Sequence, residues 1–350
     1  MKKTAPLIWE NKIMKLIDQR KLPREVIYHD IKTLEETHAA IKDMIVRGAP
    51  LIGFTALFGM VLWSRSQKTL NISEVLKAAD YLKTARPTAV NLAYEVDRVV
   101  SVIKELIELD MGKQEVDQKI EDFSLDQMKL LHEHNLSMAK TAAKELEEKY
   151  GTRKLNIMTL CNTGYLACGP MGTALGVIEY LHSQNRIEHV YASETRPYLQ
   201  GGRLTAYELA TGEIPHSITV EGAFSYLLKN KSVDAIFIGA DRIVENGDTA
   251  NKVGSSSLSI VAKHYGIPFY VVAPTSTFDL SLKTGDEIEI EMRPEEEVLS
   301  AMGERIAPEA SRALNPSFDV TDHKLITGII CENGMVKEIS PDNITKIVKG

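Results

Sequence analysis

The second half of the chain alternates short apolar runs with segments of helical periodicity, and this alternation constrains the fold more than any other feature. The apolar runs, which follow the KYGTRK segment, are LNIMTL, HVYASE, HSITV, DAIFIGA and IPFYVVA. Such alternation is typical of a parallel sheet, because each crossover between parallel strands carries a helix that covers a face of the sheet. The sequence therefore predicts an α/β protein whose residues 126–350 form a Rossmann-like parallel-sheet domain.

Residues 1–125 have a different texture and predict a mostly helical domain with a few short strands. The strands are expected in PLIWE, KIMKLID and EVIYHD. The TLEE sequence predicts a capping-box helix start at Thr33, and Gly48 predicts the end of that helix. Further helices are expected in LIGFTALFGMVLWS, ISEVLKAADYLKTA and AVNLAYEVDRVVSVIKELIELD.

A long helix is expected after the polar segment MGKQEVDQKIEDFSLDQ and should end near Tyr150. Its apolar stripe consists of Met128, Leu131, Met138, Ala142 and Leu146. Helical spacing places these side chains on one face, so the face should be buried.

The composition argues against several classes of function. The chain has 350 residues, and its 41 Lys and Arg against 48 Asp and Glu give a formal net charge of -7, which argues against a nucleic-acid partner. Its start lacks the apolar region of a signal peptide, and no run of 18 uncharged apolar residues follows, so no membrane partner is expected. The cysteines 161, 168 and 331 are expected to be reduced thiols of a cytoplasmic protein.

The loops that follow the predicted strands carry most of the candidate chemistry. Ligands of open parallel sheets bind beyond the carboxyl ends of the strands, and polar groups follow every strand predicted here. Cys161 ends the first strand, and the glycine-rich segment after it leads into a helix, a setting that suits an anion and lowers the pKa of a thiol. Taken alone, Cys161 is better explained as a buried and inert small hydrophobe, because most buried cysteines are of this kind.

Asp241 follows the IFIGA strand directly, where a partly desolvated carboxyl can act as an acid or a base. An aspartate that caps the following turn explains the same pattern. Asp248, in ENGD, is interpreted as a turn residue, because a calcium loop needs more carboxylates. No CxxC or HExxH pattern predicts a metal, and no GxGxxG with its acidic partner predicts a dinucleotide.

Several cations lie beside Gly or Pro or in strand-end loops rather than on helix faces. They are Arg47, Arg86, Arg196 and Lys252. Guanidinium groups and a lysine ammonium are suited to binding phosphate. Each of these residues taken singly is also consistent with a solvated surface position. Glu194 is likewise consistent with an ion-pair partner of Arg196. A thiol, a carboxyl and several cations together predict proton or hydride movement on a small phosphorylated sugar.

Seven motifs occur in an order that resembles a known family. They are VRGAPLIG, ARPTAVNL, CNTG with GTALGVI, ETRPYLQGGRLTAYEL, GADRIVENGDTANKVG, IPFYVVAPTSTFD and NPSFDVT. They resemble the methylthioribose-1-phosphate isomerase family, which also contains regulatory subunits of translation initiation factor 2B. The resemblance extends from about Arg47 to Cys331, nearly the whole chain.

The resemblance implies a homodimer that isomerises a 5-substituted ribose 1-phosphate to the matching ribulose 1-phosphate without a cofactor or a metal. By motif, Cys161 and Asp241 correspond to the catalytic pair. The substrate-binding positions implied in the same way are Arg47, Gly48, Ala49, Arg86, Gln200, Asn251 and Lys252. The RGAP and ARPT loops are then expected to cover a site at the strand ends of the second domain.

Three alternatives stay open at this point. The segment YLACGPMGTALG departs from the pattern of the family and leaves 5-deoxyribose 1-phosphate as an alternative substrate. A non-catalytic, ligand-sensing subunit is a second alternative, although such a subunit would not be expected to keep both Cys161 and Asp241. A cofactor-dependent α/β enzyme is a third, disfavoured by the missing dinucleotide pattern.

Overall fold

A computed structural model describes residues 4–87, 90–230, 232–301 and 303–350. By its internal contacts the chain forms two compact units. The N-terminal unit consists of Thr4–Glu133 and Tyr165–Gly172, and the sheet unit includes His134–Gly164 and Thr173–Gly350. The domain boundary predicted between residues 125 and 126 falls inside one continuous helix and stays a prediction.

The N-terminal unit combines a small antiparallel sheet with a group of helices. The strands are β1 (Leu7–Glu10), β2 (Ile13–Ile17) and β3 (Tyr28–Ile31), paired in that order. The helices are α1 (Leu34–Lys42), α2 (Ala49–Ser66), α3 (Ile72–Lys83), α4 (Val90–Glu108), the first part of α5 (Lys113–Tyr150) and the short α6 (Tyr165–Cys168). Helix α2 is apolar around most of its circumference and is buried almost throughout, which makes it the centre of this core. The three predicted strands are confirmed.

The predicted start of α1 is confirmed and its predicted end is wrong. The Glu36 N–H donates to the Thr33 hydroxyl at 3.1 Å, as expected of a helix cap, but the helix ends at Lys42. Gly48 instead precedes α2 as its N-cap residue, with a φ of 92°. A Cβ at Gly48 would lie 2.4 Å from the carbonyl oxygen of Ala167, so only glycine fits this position.

Helix α5 begins at Lys113, inside the polar segment, and not after it as predicted. The polar residues there cover the exposed side of the helix, while Val116, Ile120 and Ser124 are buried at intervals of four residues. Of the predicted stripe, Leu131, Met138, Ala142 and Leu146 are buried and Met128 is half-buried.

The sheet unit is an α/β structure with several layers. Its strands are β4 (Leu155–Thr159), β5 (Ile187–Ser193), β6 (His216–Thr219), β7 (Ala235–Ile238), β8 (Arg242–Val244), β9 (Thr249–Lys252), β10 (Phe269–Val272), β11 (Phe278–Asp279), β12 (Ser300–Ala301), β13 (Glu304–Arg305), β14 (Phe318–Thr321), β15 (Gly328–Cys331) and β16 (Gly334–Val336). Its helices, after the end of α5, are α7 (Ala174–Ser183), α8 (Ala206–Thr211), α9 (Phe224–Lys229), α10 (Ser255–Tyr265), α11 (Glu296–Leu299) and α12 (Pro341–Lys349). A π-helix, Gly201–Thr205, leads into α8.

The main sheet has seven strands in the order β16-β15-β10-β7-β4-β5-β6. All neighbours pair in parallel except β16, which turns back against β15. The five strands predicted from the alternating pattern are β4, β5, β6, β7 and β10, and all five are confirmed. Strands β7 and β10 are buried at every position, as central strands covered on both faces should be.

Several strands of this unit were not predicted. Strands β15 and β16 extend the main sheet, and the GADRIVENGDTANKVG segment, expected as a loop, contains the antiparallel pair β8 and β9. That pair belongs to a second sheet in the order β11-β8-β9-β14. Within the described residues, no helix is long and apolar enough to span a bilayer.

Candidate active site

Cys161 and Asp241 follow two strands that are neighbours at the centre of the main sheet. Strands β4 and β7 pair in parallel, with Thr159 opposite Phe237. From β4 the chain builds β5 and β6 on one side, and it then returns to β7 on the other side. The order in which strands are added to the sheet therefore reverses between β4 and β7. This is the switch point at which open α/β sheets bind their ligands.

The loops after β4 and β7 pack closely against each other. A Cβ added at Gly239, just before Asp241, would lie 2.6 Å from the Cγ2 atom of Thr163. Neighbouring strands lie about 4.8 Å apart, so the two loops leave the sheet side by side. The loops that carry Cys161 and Asp241 therefore lie beside each other at the carboxyl ends of β4 and β7.

The backbone of Cys161 is held in an unusual conformation by two threonine side chains. Its φ is 65°, in the left-handed region, where a residue other than glycine pays about 1 kcal/mol or more. The Cys161 N–H donates to the Thr195 hydroxyl at 2.9 Å, and the Thr205 hydroxyl donates to the Cys161 carbonyl at 2.5 Å. Thr195 is held in turn, because its N–H donates to the Glu221 carboxylate at 2.7 Å. The buried thiol thus sits on a fixed backbone that has turned away from the sheet.

Asp241 begins the β8–β9 hairpin. Its N–H donates to the Ala250 carbonyl at 2.9 Å, which continues the antiparallel ladder in which Arg242 lies opposite Ala250. This hairpin fixes the backbone of Asp241 directly beyond the central strand β7. It also carries Asn251 and Lys252 at the end of β9.

Asp248 is a turn residue, as predicted. Its carboxylate accepts hydrogen bonds from the His323 N–H at 2.9 Å, the His323 ring at 2.8 Å, Asn246 at 2.8 Å and the Gly285 N–H at 3.0 Å. Burial alone would raise the pKa of Asp248, but these hydrogen bonds outweigh it and hold the pKa below its ordinary value. Donor atoms of Asp248, Asp322 and His323 lie within 4.8 Å of one another, yet the hydrogen bonds already occupy both Asp248 oxygens.

Gln200 combines a buried side chain with an unsatisfied acceptor atom. Its side chain is 6% exposed, and its amide oxygen has no hydrogen-bond partner among the described residues. A buried acceptor without a donor costs about 1–3 kcal/mol, so such an atom is expected where a ligand supplies the donor. Gln200 directly precedes the π-helix that follows β5, the strand on the other side of β4.

Asn251 and Lys252 have polar contacts that define their positions. The Asn251 amide donates to the Ser255 hydroxyl at 2.8 Å, and the Lys252 ammonium donates to the Ser317 carbonyl at 2.8 Å. The ammonium also lies 4.3 Å from the centre of the Phe318 ring. Both side chains are therefore ordered at the end of β9, in the same unit as Cys161, Asp241 and Gln200.

The other predicted substrate-binding residues belong to the N-terminal unit. Arg47 is 8% exposed, Gly48 caps α2, and Ala49 is the first residue of that helix. Arg86 is half-buried after α3. Two residues of the ARPTAVNL motif, 88 and 89, lie outside the described residues.

Arg196 and Glu194 have roles that the sequence left open. Arg196 donates to the carbonyls of Val298 at 2.9 Å and Ser300 at 3.4 Å, so it anchors a neighbouring segment. Burial and the carboxylate of Glu221 raise the pKa of Glu194, and Arg196 opposes this shift.

Sequence reasoning missed the residues that hold the candidate site in place. Asp319 accepts from the N–H groups of Gly254 at 2.7 Å and Ser256 at 3.0 Å, which fixes the turn after Lys252. Burial raises the pKa of Asp319 despite these bonds. Asp319 lies in the NPSFDVT motif, which was the available signal. Asn162, Thr205 and Glu208 also lie in the quoted motifs, but nothing in the motifs indicates that their side chains contact one another.

Comparisons with known proteins extend over nearly the whole chain. The model of the Initiation factor 2 subunit family matches residues 45–338. Methylthioribose-1-phosphate isomerase of Caldicellulosiruptor saccharolyticus is 43% identical over 97% of this chain and 98% of its own length. The protein of the same name from Thermotoga petrophila is 44% identical over 99% of this chain and 98% of its own length.

Two solved structures resemble the fold throughout. The 5-methylthioribose 1-phosphate isomerase of Pyrococcus horikoshii OT3 gives a TM-score of 0.91 at 38% identity, covering 100% of this chain and 97% of its own. The translation initiation factor eIF-2B subunit delta of A. fulgidus gives 0.87 at 34% identity, covering 99% and 100%. The predicted α/β fold class is confirmed.

Proposed function

The chain belongs to the Initiation factor 2 subunit family, and we propose that within it this protein is an enzyme, an aldose–ketose isomerase of methionine salvage. It converts 5-methylthioribose 1-phosphate into 5-methylthioribulose 1-phosphate. Relatives named for this isomerase are 43% and 44% identical over nearly the full length. The observation that carries the proposal is the position of Cys161 and Asp241, just beyond the two strands that flank the switch point.

The substrate dictates what the site must do. A phosphate on C1 locks the pentose as a ring, so no aldehyde is available to enolise. The bond between C1 and the ring oxygen must break, the ring oxygen must take a proton, and the bond between C1 and the phosphate oxygen must stay. Hydrogen then moves from C2 to C1 while the C2 hydroxyl becomes the ketone, so no external oxidant or reductant is needed.

We assign the two candidate catalytic residues to different steps of this reaction. Asp241 handles the protons of the ring oxygen and the C2 hydroxyl, as a carboxyl at a fixed strand end can. Cys161 acts at C1 and C2. Either its thiolate removes the C2 proton to give an enolate, or the hydrogen moves directly as hydride.

Isotopes distinguish these two routes. Substrate with deuterium at C2 is converted in ordinary water, and unlabelled substrate is converted in heavy water. Direct transfer keeps the deuterium at C1 of the product and takes none from the solvent. A route through an enolate exchanges the hydrogen that leaves C2 with hydrogen of the solvent.

The substrate-binding part of the proposal consists of the residues predicted from the sequence. The Gln200 amide oxygen is expected to accept a sugar hydroxyl, which would satisfy this buried atom. Asn251 and Lys252 are proposed to bind hydroxyl and phosphate oxygens. Arg47, Gly48, Ala49 and Arg86 are included because of the family resemblance, and guanidinium groups and a helix N-terminus both suit phosphate.

Turnover of purified protein is the deciding experiment. We expect ketose formation from 5-methylthioribose 1-phosphate, with a kcat/KM at least about 10-fold above that for 5-deoxyribose 1-phosphate, since an apolar 5-substituent contributes about 1–3 kcal/mol in a fitted pocket. A reversed preference would identify the deoxy sugar as the substrate. Absence of turnover on both, with binding of a sugar phosphate or nucleotide, would favour a non-catalytic subunit.

The proposal also includes a homodimer in the cytoplasm that acts on a small phosphorylated sugar without a cofactor or a metal. Sedimentation of the purified protein should give twice the 38.9 kDa mass of one chain. Dialysis against a chelator should leave kcat unchanged.

A further inference from the structure

We propose that a buried chain of hydrogen bonds from Glu208 through Asn162 and Thr205 positions Cys161 for its reaction. The inference rests on the proposed function and deepens it, because it assigns positioning residues to the same site. These three residues lie outside the set implied by the family resemblance.

The contacts form a continuous path. The Asn162 amide donates to the Glu208 carboxylate at 2.6 Å and to the Thr205 hydroxyl at 3.3 Å. The Thr205 hydroxyl donates to the Cys161 carbonyl at 2.5 Å. All three side chains are almost fully buried, and Glu208 is 2% exposed. Polar groups this deep are costly unless each is hydrogen-bonded, so the path constrains the geometry of every member.

The backbone is shaped to let this path form. A Cβ at Gly164 would lie 1.9 Å from a Glu208 carboxylate oxygen, so the carboxylate lies directly against the loop that follows Cys161. Thr205 and Glu208 are three residues apart where the π-helix continues into α8, and this spacing puts both on one helix face. A Cβ at Gly201, at the start of the π-helix, would lie 1.6 Å from the Ser193 carbonyl oxygen. π-Helical turns are rare in proteins, and those that occur are often found at functional sites.

The path ends on Cys161, the residue of the site with a strained backbone. Cys161 has a φ of 65°, and a non-glycine residue keeps such a conformation only when its surroundings fix it. Thr195 fixes its N–H and Thr205 its carbonyl. Glu208 lies at the far end of the path, where a carboxyl oxygen accepts from the Asn162 amide. When the hydrogen bonds of the path are broken, we expect the Cys161 backbone to relax and the thiol to change position.

The first test is a matched pair of threonine variants. Thr205→Val removes the hydroxyl of the path and keeps the shape of the side chain. Thr211→Val is the control, because Thr211 is also buried and its hydroxyl also donates to a backbone carbonyl, that of Tyr207 at 2.6 Å. We expect Thr205→Val to lower kcat by about 10- to 100-fold with KM within about twofold of wild type, since small misplacements of a reacting group have effects of this size. Thr211→Val should keep wild-type kcat.

The second test asks whether Glu208 acts through the same path. Glu208→Gln keeps one acceptor oxygen and replaces the other with an NH2 donor, so kcat should fall by about 3- to 10-fold with KM again unchanged. The double variant Thr205→Val/Glu208→Gln should have a kcat no lower than that of Thr205→Val alone. The effects of two substitutions in one hydrogen-bonded path on kcat are not additive. Should Thr205→Val fail to fold, Glu208→Gln decides by its own kcat and KM.

A readout without substrate separates this inference from the proposed function. The rate at which iodoacetamide alkylates Cys161, followed by mass spectrometry of its peptide across pH, should change in Thr205→Val and not in Thr211→Val. That result would stand even if wild-type protein failed to isomerise the sugar. Equal kcat and alkylation profiles in the two threonine variants, or additive losses in the double variant, would overturn the inference.

Discussion

Two strand ends of the same sheet each carry a cysteine, and their surroundings differ sharply. Cys331 is the last residue of β15, stays in the ladder opposite Gly334 and is 0% exposed. Burial raises the pKa of its thiol to about 11, so it is neutral at physiological pH. Cys161 lies two residues beyond β4, with its backbone turned into the left-handed region and held by threonine side chains. A cysteine becomes a candidate for chemistry here when its backbone has left the ladder at the switch point of the sheet.

The largest contrast is expected in catalysis. Cys161→Ser should lower kcat by about 10³-fold or more, because a serine hydroxyl is a far weaker acid than a thiol and does not ionise at neutral pH. Cys331→Ser should leave kcat within about twofold of wild type, since its thiol takes no part in the reaction. Steady-state kinetics of the two variants side by side measure the difference. More than a tenth of wild-type kcat in Cys161→Ser would end the assignment of that residue.

Two aspartates sharpen the same contrast between a reacting group and a turn residue. Asp241→Asn should lower kcat by about 10²- to 10³-fold with a small change in KM, as loss of a general acid or base does. Asp248→Asn should instead lower the free energy of unfolding by about 1–3 kcal/mol, because it weakens a buried hydrogen-bond hub, and leave kcat near wild type. Kinetics and urea unfolding of both proteins test this. Similar kcat losses in the two would contradict it.

The tight packing around Cys161 can be tested through a glycine. Gly201→Ala should lower the free energy of unfolding by about 3 kcal/mol, since its Cβ would overlap the Ser193 carbonyl. Gly222→Ala is the matched control, because no atom lies within 4 Å of the position of its Cβ, and it should change stability by about 0.5 kcal/mol at most. Equal urea midpoints for the two variants would mean that the start of the π-helix can move away from the Ser193 carbonyl.

The smallest expected effect concerns the buried thiol of Cys331. Its folded pKa, about 11, lies above the ordinary value of 9.0, so the folded state favours the neutral thiol. The stabilising contribution is therefore complete below pH 9 and is lost as the pH rises from about 9 to about 11, up to about 2–3 kcal/mol. Urea unfolding at pH 8.5 and pH 10.5 should show a larger loss for wild type than for Cys331→Ala. An equal loss would show that Cys331 ionises as easily when folded as when unfolded.

Local patterns predicted most of the elements, and they failed where distant residues decide. The alternation in the second half identified β4, β5, β6, β7 and β10. Strand β15 was not identified, although it has four residues, as β6, β7 and β10 do. Gly48 looked like a helix end, but its close approach to Ala167 makes it the start of the next helix.

The candidate site was predictable where motifs carry it and unpredictable where packing does. Cys161 and Asp241 stand out because each directly follows an apolar run, and Gln200 lies in a motif. Neither the buried acceptor of Gln200 nor the path from Glu208 to Cys161 has a local signature, because each depends on which distant side chains surround it.

By itself, the sequence determined that this protein has a covered parallel sheet with reactive groups in the loops after its strands, because side-chain periodicity is a local property. Only the tertiary structure decided that β7 returns to lie beside β4, and that Cys161 is held with a positive φ. Strand order and backbone strain depend on burial and hydrogen bonds between residues far apart in the chain, and no local pattern encodes them.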